Sequence, residues 1–144
     1  MNSSILTTHV GSLPRSKELS ELLFAKDKKE NIDQVLFNDT VKKNVEEVVK
    51  RQLDVGIDVV SDGEMSKISY ATYVKDRIKG FSGESERRAP ADLDAFPAYK
   101  TKIANSGGTP TYTRPCCTSE LEIQDTQSLK NDIKNLSDSL NSNN

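Results

Sequence analysis

Two short polar turns carry the side chains of this sequence that are best placed to do chemistry. The first is Gly11-Ser12, which follows an apolar run over 5–10, and the second is Asp62-Gly63-Glu64, which follows an apolar run over 57–60. Enzymes built from alternating strands and helices keep their reactive and binding groups where strands end. The Ser12 hydroxyl and the Glu64 carboxylate are therefore candidates for contact with a substrate.

Each turn also has a purely structural interpretation, which the spacing leaves open. Gly and Ser are common in tight turns that precede helices, so Gly11-Ser12 can serve as such a turn. A loop carboxylate such as Glu64 is usually solvated. Asp62 and Glu64 could act as an acid–base pair, but residues two apart in a loop need not converge. The position of Glu64 just beyond an expected strand favours a functional role.

The other reactive side chains favour structural interpretations. His9 is the only histidine and lies on an expected strand, which is typical of a buried or supporting imidazole. Cys116 and Cys117 are adjacent, so on a strand they point to opposite faces and suit neither a disulfide nor a two-ligand metal clip. We expect both thiols to be small buried residues. Gly107-Gly108 lacks the surroundings of a phosphate-binding loop and indicates a hinge.

Hydrophobic periodicity predicts the elements that position the two turns. A β-branched apolar run predicts a strand over 5–10, and Ser16 can cap a helix whose leucines recur three and four residues apart. The same spacing predicts a long helix over 32–53, which Gly56 ends before a second strand over 57–60. Strand, helix, Gly and strand form the pattern of a parallel crossover. We therefore expect both turns at one edge of a parallel pair.

The middle of the sequence is more polar. An apolar stripe predicts a helix over 67–79, which Gly80 would end. The range 82–111 is rich in Gly, Ser, Pro and charge, so we expect a long loop or insert there. One short helix near 92–104 is compatible with its composition. This range is typical of a lid or of a flexible connection.

The last part of the sequence returns to regular structure. Strand-like segments over 112–118 and 121–123 precede a helix that Asp125 can cap. The final residues 141–144 are polar, and we expect them to fray.

Length and charge narrow the possible classes of protein. The chain has 144 residues, whereas a closed eight-stranded β/α barrel needs about 250, so a complete barrel is excluded. The net charge is −2 with acids and bases interspersed, which offers no basic surface to a nucleic acid or an anionic membrane. The sequence has neither a secretory leader nor a long apolar run, so we expect a cytoplasmic protein.

The motifs at the two turns, with three further segments in the same order, resemble those of a known family. These segments are Thr8-His9-Val10-Gly11-Ser12-Leu13-Pro14-Arg15, Asp58-Val59-Val60-Ser61-Asp62-Gly63-Glu64-Met65, Ser66-Lys67-Ile68-Ser69-Tyr70, Gly80-Phe81-Ser82-Gly83 and Ser106-Gly107-Gly108-Thr109-Pro110-Thr111-Tyr112. The sequence resembles the N-terminal part of the catalytic barrel of cobalamin-independent methionine synthases, particularly their short single-barrel "synthase II" relatives. Ser119-Glu120 departs from the small Gly-Pro-like turn of those relatives.

The resemblance implies an α/β fold and a chemistry. The fold is a partial (β/α)8 TIM barrel of the methionine synthase and uroporphyrinogen decarboxylase-like type, comprising about the first three β/α units in one incomplete domain over 1–144. Family members bind zinc, which keeps the homocysteine thiol deprotonated for attack on the methyl group of a methylfolate. Val10-Gly11-Ser12 match the segment that contacts the amino-acid substrate, and Glu64 matches the carboxylate that pairs with its amino group.

The resemblance places the zinc ligands elsewhere. They are a His-x-Cys pair, a Glu and a distant Cys from later strands of the family, so it implies no metal ligand and no catalytic residue in this chain. We expect an N-terminal fragment that is inactive alone. Two alternatives stay open: alkyl transfer involving a coenzyme-M-like thiol, as in the similar epoxyalkane:coenzyme M transferases, and a non-enzymatic half-barrel subunit. The second would dock on a partner or self-associate through an open sheet edge.

Overall fold

Two capped helices dominate the first part of the chain. The computed structural model describes residues 5–83, 91–105 and 115–143. Helix α1 spans Lys17–Asp27, and the Ser16 hydroxyl caps it by accepting a hydrogen bond from the Leu19 N–H at 3.2 Å. Helix α2 spans Gln34–Asp54, and the Asp33 carboxylate caps it by accepting from the first free N–H groups. Both helices lie where the periodicity predicts them.

The two segments predicted as strands meet in parallel at a single bridge, and neither forms a regular strand. Gly56 ends α2 with a φ of +81°, which turns the chain back along the first segment. Thr8 and Val59 then form a parallel bridge, and the Val59 N–H donates to the Thr7 carbonyl at 3.0 Å. The Asp58 carboxylate accepts from the Thr7 N–H at 2.7 Å. The predicted crossover is therefore present, with pairing that is confined to one bridge rather than a ladder.

The apolar core lies between these helices and the turn after Val59. Its fully buried members come from α1, from α2 and from the segment that follows the second strand. They are Leu19, Leu23, Phe37, Val41, Val45, Val48, Val49 and Met65. The periodic face of α2 is thus the core face, as its spacing predicts.

The helix predicted over 67–79 is wrong at both ends. Helix α3 covers only Tyr70–Lys75, because Ser69 and Thr72 form a capping box that fixes its start. The residues after it form strand β1, Ile78–Ser82. An apolar residue every second position fits a strand as well as a short helix, and a distant partner strand decides between them.

That partner is strand β2, Cys116–Ile123, which pairs with β1 in antiparallel direction. The register joins Ile78 to Ile123 and is irregular after Lys79. Gly80 lies at the irregularity with a φ of +96°, and a Cβ there would be 2.6 Å from the Glu120 carbonyl oxygen. Only glycine fits this close approach of the two strands.

The pairing of β1 with β2 corrects two expectations about the chain after residue 111. The two strand-like segments are one continuous strand over 116–123, and the positions 112–114 lie outside the described residues. The expected third strand of a parallel series, β2, instead runs antiparallel to β1. The architecture of the described residues is therefore mixed helix and strand, with one parallel contact and one two-stranded antiparallel sheet.

Two further helical segments lie within the expected insert. A 3-10 turn spans Ala91–Ala95 and helix α4 spans Pro97–Asn105, close to the short helix predicted near 92–104. Pro97 suits the first position of α4 because its missing N–H would have no partner there. Gly107-Gly108, the predicted hinge, lies outside the described residues.

Helix α5, Gln127–Ser142, packs on α2. The N-cap residue is Thr126, whose side chain makes no cap hydrogen bond, so the predicted N-cap at Asp125 is one residue too early. The Asp125 carboxylate nevertheless accepts from the Gln127 N–H at 2.7 Å. Leu136 and Leu140 pack against the core, whereas Leu129 and Ile133 stay exposed. Among the described residues, no helix combines the length and the apolar character that crossing a bilayer requires.

Candidate functional site

The two polar turns meet at the end of the parallel contact. The Leu13 N–H donates to the Gly63 carbonyl at 3.0 Å, and the Ser12 hydroxyl donates to Glu64 Oε2 at 2.5 Å. Gly63 has a φ of +61°, and a Cβ on it would come within 3.0 Å of the Leu13 side chain. Glycine is thus required for the turns to approach each other. Two side chains 52 positions apart in sequence form one polar site.

Glu64 has an unusual backbone conformation. Its φ of +58° lies in the left-handed region, which costs a residue with a side chain about 1 kcal/mol. The Asp62 carboxylate holds this conformation by accepting from the Glu64 N–H at 2.9 Å. The next residue, Met65, is fully buried in the core and anchors the turn. The surroundings therefore hold Glu64 in a conformation that it would otherwise leave.

The Glu64 carboxylate is ionised and incompletely satisfied. Burial works against its ionisation, but the hydrogen bond from the Ser12 hydroxyl, the influence of the Tyr70 hydroxyl and the charges of Lys67 and Arg15 outweigh burial, so the pKa of Glu64 lies below its ordinary value. The same contact raises the pKa of Tyr70. Glu64 Oε1 is buried and has no hydrogen-bond partner among the described residues. The site therefore presents a negatively charged acceptor without a donor.

Arg15 completes the site, although the sequence analysis does not single it out. Its Nη2 group donates to the Glu64 carbonyl at 2.9 Å and to the Lys67 carbonyl at 2.6 Å, and lies 3.5 Å from the Ser12 hydroxyl. Burial lowers the pKa of Arg15, and the negative charges of Glu64 and Asp62 oppose that effect. The sequence signals are its position three residues after Ser12 and its place at the end of the motif over 8–15.

The other two residues of the predicted substrate segment lie beside the Ser12–Glu64 contact. Gly11 has a φ of +100°, a conformation that few residues other than glycine adopt, and it directs the chain towards Ser12. The Val10 side chain is 86% exposed. The structure therefore brings Ser12 and Glu64 into contact and leaves Val10 at the surface.

The single histidine lies apart from this contact. His9 Nε2 is buried without a hydrogen-bond partner among the described residues. The imidazole lines a largely apolar cavity of about 280 Å³ together with α2 residues and Ile57. This environment agrees with the structural interpretation of His9.

The cysteines are less buried than predicted. Cys116 is half-buried and Cys117 is exposed, and both are free thiols on β2. The expectation of two buried thiols is wrong for Cys117 because β2 belongs to a two-stranded sheet with an open face. Within the described ranges, no three His, Cys, Asp or Glu side chains come together as a metal site would require.

Comparison with known proteins gives a family match over most of the chain. Residues 5–135 match the family described as "Cobalamin-independent synthase, Catalytic domain". This range includes both polar turns, α1, α2 and the sheet formed by β1 and β2.

Several curated proteins are similar over about half of the chain. The 5-methyltetrahydropteroyltriglutamate--homocysteine methyltransferase of Desulforamulus reducens is 32% identical over 76 residues, which cover 52% of this chain and 10% of that protein. A probable enzyme of the same name from Schizosaccharomyces pombe is 35% identical over 77 residues, again 52% of this chain and 10% of that protein. A chloroplastic one from Arabidopsis thaliana is 30% identical over 76 residues, covering 53% and 9%. The matched region thus spans about a tenth of the length of these relatives.

Proposed function

The chain belongs to the family of cobalamin-independent synthase catalytic domains, and we propose that it forms the part of such a domain that binds the amino-acid end of a homocysteine-like thiol. The relatives are named for methyl transfer to homocysteine from a methylfolate, and we assign the same reaction class to the protein in which this site operates. Val10, Gly11, Ser12 and Glu64 are the proposed substrate-binding residues. The contact between Ser12 and Glu64 carries this proposal.

The charge of the site suits the amino group of an amino acid. The Glu64 carboxylate is ionised at neutral pH, and its Oε2 is already held by Ser12. Oε1 is buried and has no partner among the described residues, and a ligand ammonium that enters this position would complete its hydrogen bonding. An ammonium neutralises the carboxylate, whereas the sulfonate of a coenzyme-M-like thiol would repel it. Glu64 therefore favours an amino-acid thiol over the sulfonate alternative.

Zinc enters this proposal only through the family resemblance. Bound zinc keeps a thiol deprotonated at neutral pH, which makes it a nucleophile. The described side chains do not fit a zinc site, because His9 lines an apolar cavity and the two thiols lie on β2, with no third ligand gathered beside them. The proposed role of this chain is therefore to bind and orient the amino-acid end of the substrate.

We further propose that the parallel contact of Thr8 with Val59 is the first strand pair of a (β/α)8 barrel. Three features support this assignment. The connection through α2 has the strand–helix–strand order of a barrel unit, the two polar turns lie together beyond the paired residues, and Met65 joins the helical core directly after the second turn.

Binding of L-homocysteine by the full chain tests the proposed site. Under reducing conditions we expect amide shifts of Ser12, Gly63 and Glu64 to saturate in an NMR titration. Glu64→Gln should weaken binding about tenfold or more, because it removes a charge-assisted hydrogen bond while keeping the size of the side chain.

Two controls accompany this titration. Glu47→Gln, at an exposed carboxylate of α2 that pairs with Arg51, should bind like the wild type. 4-Mercaptobutanoate, which lacks the amino group, should not saturate the site. Equal binding by wild type and Glu64→Gln would overturn the proposal.

The first strand segment favours a second candidate role, a half-barrel subunit that docks on another chain. Ile5, Leu6 and Val10 are 94%, 65% and 86% exposed, although they are apolar. Burial of such a segment against another chain would stabilise a complex through both apolar contact and backbone pairing. Light scattering at several concentrations should then show a dimer or larger species, and Ile5→Lys with Val10→Lys should restore the monomer. A monomer at all concentrations would exclude self-association.

A further inference from the structure

We propose that Arg15 is a positioning residue, whose guanidinium fixes the turn over 64–67 so that the Glu64 carboxylate faces the substrate's ammonium. This inference rests on the proposed function, since it concerns the same site. It assigns a role to a side chain whose described hydrogen bonds all go to protein groups.

The contacts of Arg15 are made with the main chain of the turn. Its Nη2 group donates to the carbonyls of Glu64 and Lys67, at 2.9 and 2.6 Å. These carbonyls belong to the first and last residues of the turn, which a hydrogen bond from the Lys67 N–H to the Glu64 carbonyl closes at 3.3 Å. A single cationic group therefore holds both ends of the turn together.

This arrangement leaves the carboxylate available. The hydrogen bond from Arg15 to Glu64 goes to the carbonyl rather than to the side chain, so the buried Oε1 has no partner among the described residues and is left for a ligand donor that reaches it. A guanidinium placed directly on the carboxylate would instead compete with the ammonium of the substrate. Arg15 thus supports the direction of Glu64 without occupying its binding atom.

The backbone of Glu64 explains why such support is needed. Its left-handed conformation is unfavourable for a residue with a side chain, and relaxation to an ordinary conformation would swing the carboxylate away from Ser12. Asp62 holds the N–H side of the Glu64 backbone, and Arg15 holds the carbonyl side. The two contacts together fix both peptide planes next to Glu64.

Arginine is suited to this role because one nitrogen, Nη2, donates to both carbonyls from the end of a side chain that reaches one bond farther from the main chain than a lysine Nζ. A lysine ammonium would keep the positive charge near Glu64 but would fall short of the two carbonyls. The substitution Arg15→Lys therefore separates the effect of charge from the effect of position.

The test compares Arg15→Lys and Arg15→Gln with a matched control, Arg51→Gln, at an exposed arginine of α2. For each full-length variant we would measure the Glu64 carboxyl pKa by NMR without ligand, the amide shifts of Gly63, Glu64 and Lys67, and the dissociation constant for L-homocysteine. Circular dichroism would establish that each variant is folded.

We expect both Arg15 variants to bind L-homocysteine about tenfold more weakly, with altered amide shifts confined to the turn. Arg15→Gln should also raise the pKa of Glu64, whereas Arg15→Lys should leave it near that of the wild type because the charge is kept. Arg51→Gln should match the wild type in every measurement. A role in overall stability alone would change none of these quantities in the folded protein.

Wild-type affinity and wild-type turn shifts in Arg15→Lys would overturn the inference, because charge alone would then suffice. If Arg15→Gln does not fold, Arg15→Lys decides the question. If the wild type does not bind L-homocysteine, the proposed function fails, and the ligand-free amide shifts of Arg15→Lys still support or overturn the positioning of Glu64.

Discussion

Residues 5–69 and residues 70–143 are stabilised by different kinds of contact. The first region contains every buried member of the apolar core, from Leu19 to Met65. Among the described residues, the second attaches to it through one ion pair, Lys75 with Asp27 at 3.0 Å, and through the packing of α5 on α2. In the second region, the only large apolar side chains that pack against this core are Leu136 and Leu140 of α5, among the residues described. The site is built almost entirely on the first region, so its geometry depends on the core more than on the sheet formed by β1 and β2.

A cluster around Tyr73 joins the parts of the second region to each other. Arg77 lies over the Tyr73 ring at 3.1 Å from its centroid and donates to Asp132 of α5 at 3.3 Å. The Tyr73 hydroxyl donates to the same carboxylate at 3.1 Å. α3 and the start of β1 are thereby tied to α5.

The largest effect is expected from a change in the apolar core. Leu19→Ala should lower the free energy of unfolding by about 2–5 kcal/mol, because it removes a fully buried side chain and leaves a cavity. Leu121→Ala, on β2 where the leucine is 53% exposed, should change it by less than about 0.5 kcal/mol. Urea denaturation of both variants measures the difference. Equal losses would show that the two regions share one core.

A smaller effect is expected from the Tyr73 cluster. Asp132→Asn leaves the Arg77 charge without its partner at a site where the two side chains are 12% and 13% exposed, and should cost about 3 kcal/mol. Glu122→Gln breaks an exposed cross-strand pair with Lys79 and should cost about 0.5 kcal/mol or less.

The residues whose amide shifts change in Asp132→Asn test whether the second region affects the site. We expect altered amide shifts in α3, β1 and α5, with those of Ser12 and Glu64 unchanged in the folded protein. Altered shifts at Ser12 and Glu64 would show that the second region helps to set the site geometry.

The smallest expected effect is that of Glu64 ionisation on the free energy of unfolding at acid pH. Because the pKa of Glu64 is lowered in the folded chain, its ionised form contributes stability above the ordinary glutamate pKa of about 4.3, and this contribution is lost as the pH falls through the lower folded value. The unfolding free energy of the wild type should therefore fall more steeply below about pH 5 than that of Glu64→Gln. Urea denaturation at several pH values in this range tests this prediction. The same dependence of the unfolding free energy on pH in the two proteins would contradict it.

Much of the first region could be predicted from short stretches of sequence. Ser16 caps α1 as predicted, and the spacing of apolar residues along α2 selects its buried face. The Asp33 cap of α2 acts over the same short range but was not predicted. The same local patterns place Gly56 at the end of α2. Because the crossover brings the ends of two parallel strands to one edge, even the proximity of Ser12 and Glu64 follows from the order of elements.

The pairing of β1 with β2 could not be predicted from such local patterns. The sequence around Ile78 suits a helix or a strand, and its pairing with Ile123 decides the outcome from 45 positions away. The role of Arg15 is equally non-local, since its acceptors are carbonyls of residues 64 and 67, which no side-chain pattern reveals.

The sequence by itself determined the positions of α1, α2 and α5, the cap of α1, and the parallel approach of the two segments that carry Ser12 and Glu64. Only the tertiary structure decided the strand identity of 78–82, the left-handed conformation of Glu64 and the contacts of Arg15. The physical reason is the range of the interactions. Helix caps and amphipathic spacing act over a few residues, whereas strand pairing, backbone strain and main-chain acceptors depend on groups that meet only after the chain has folded.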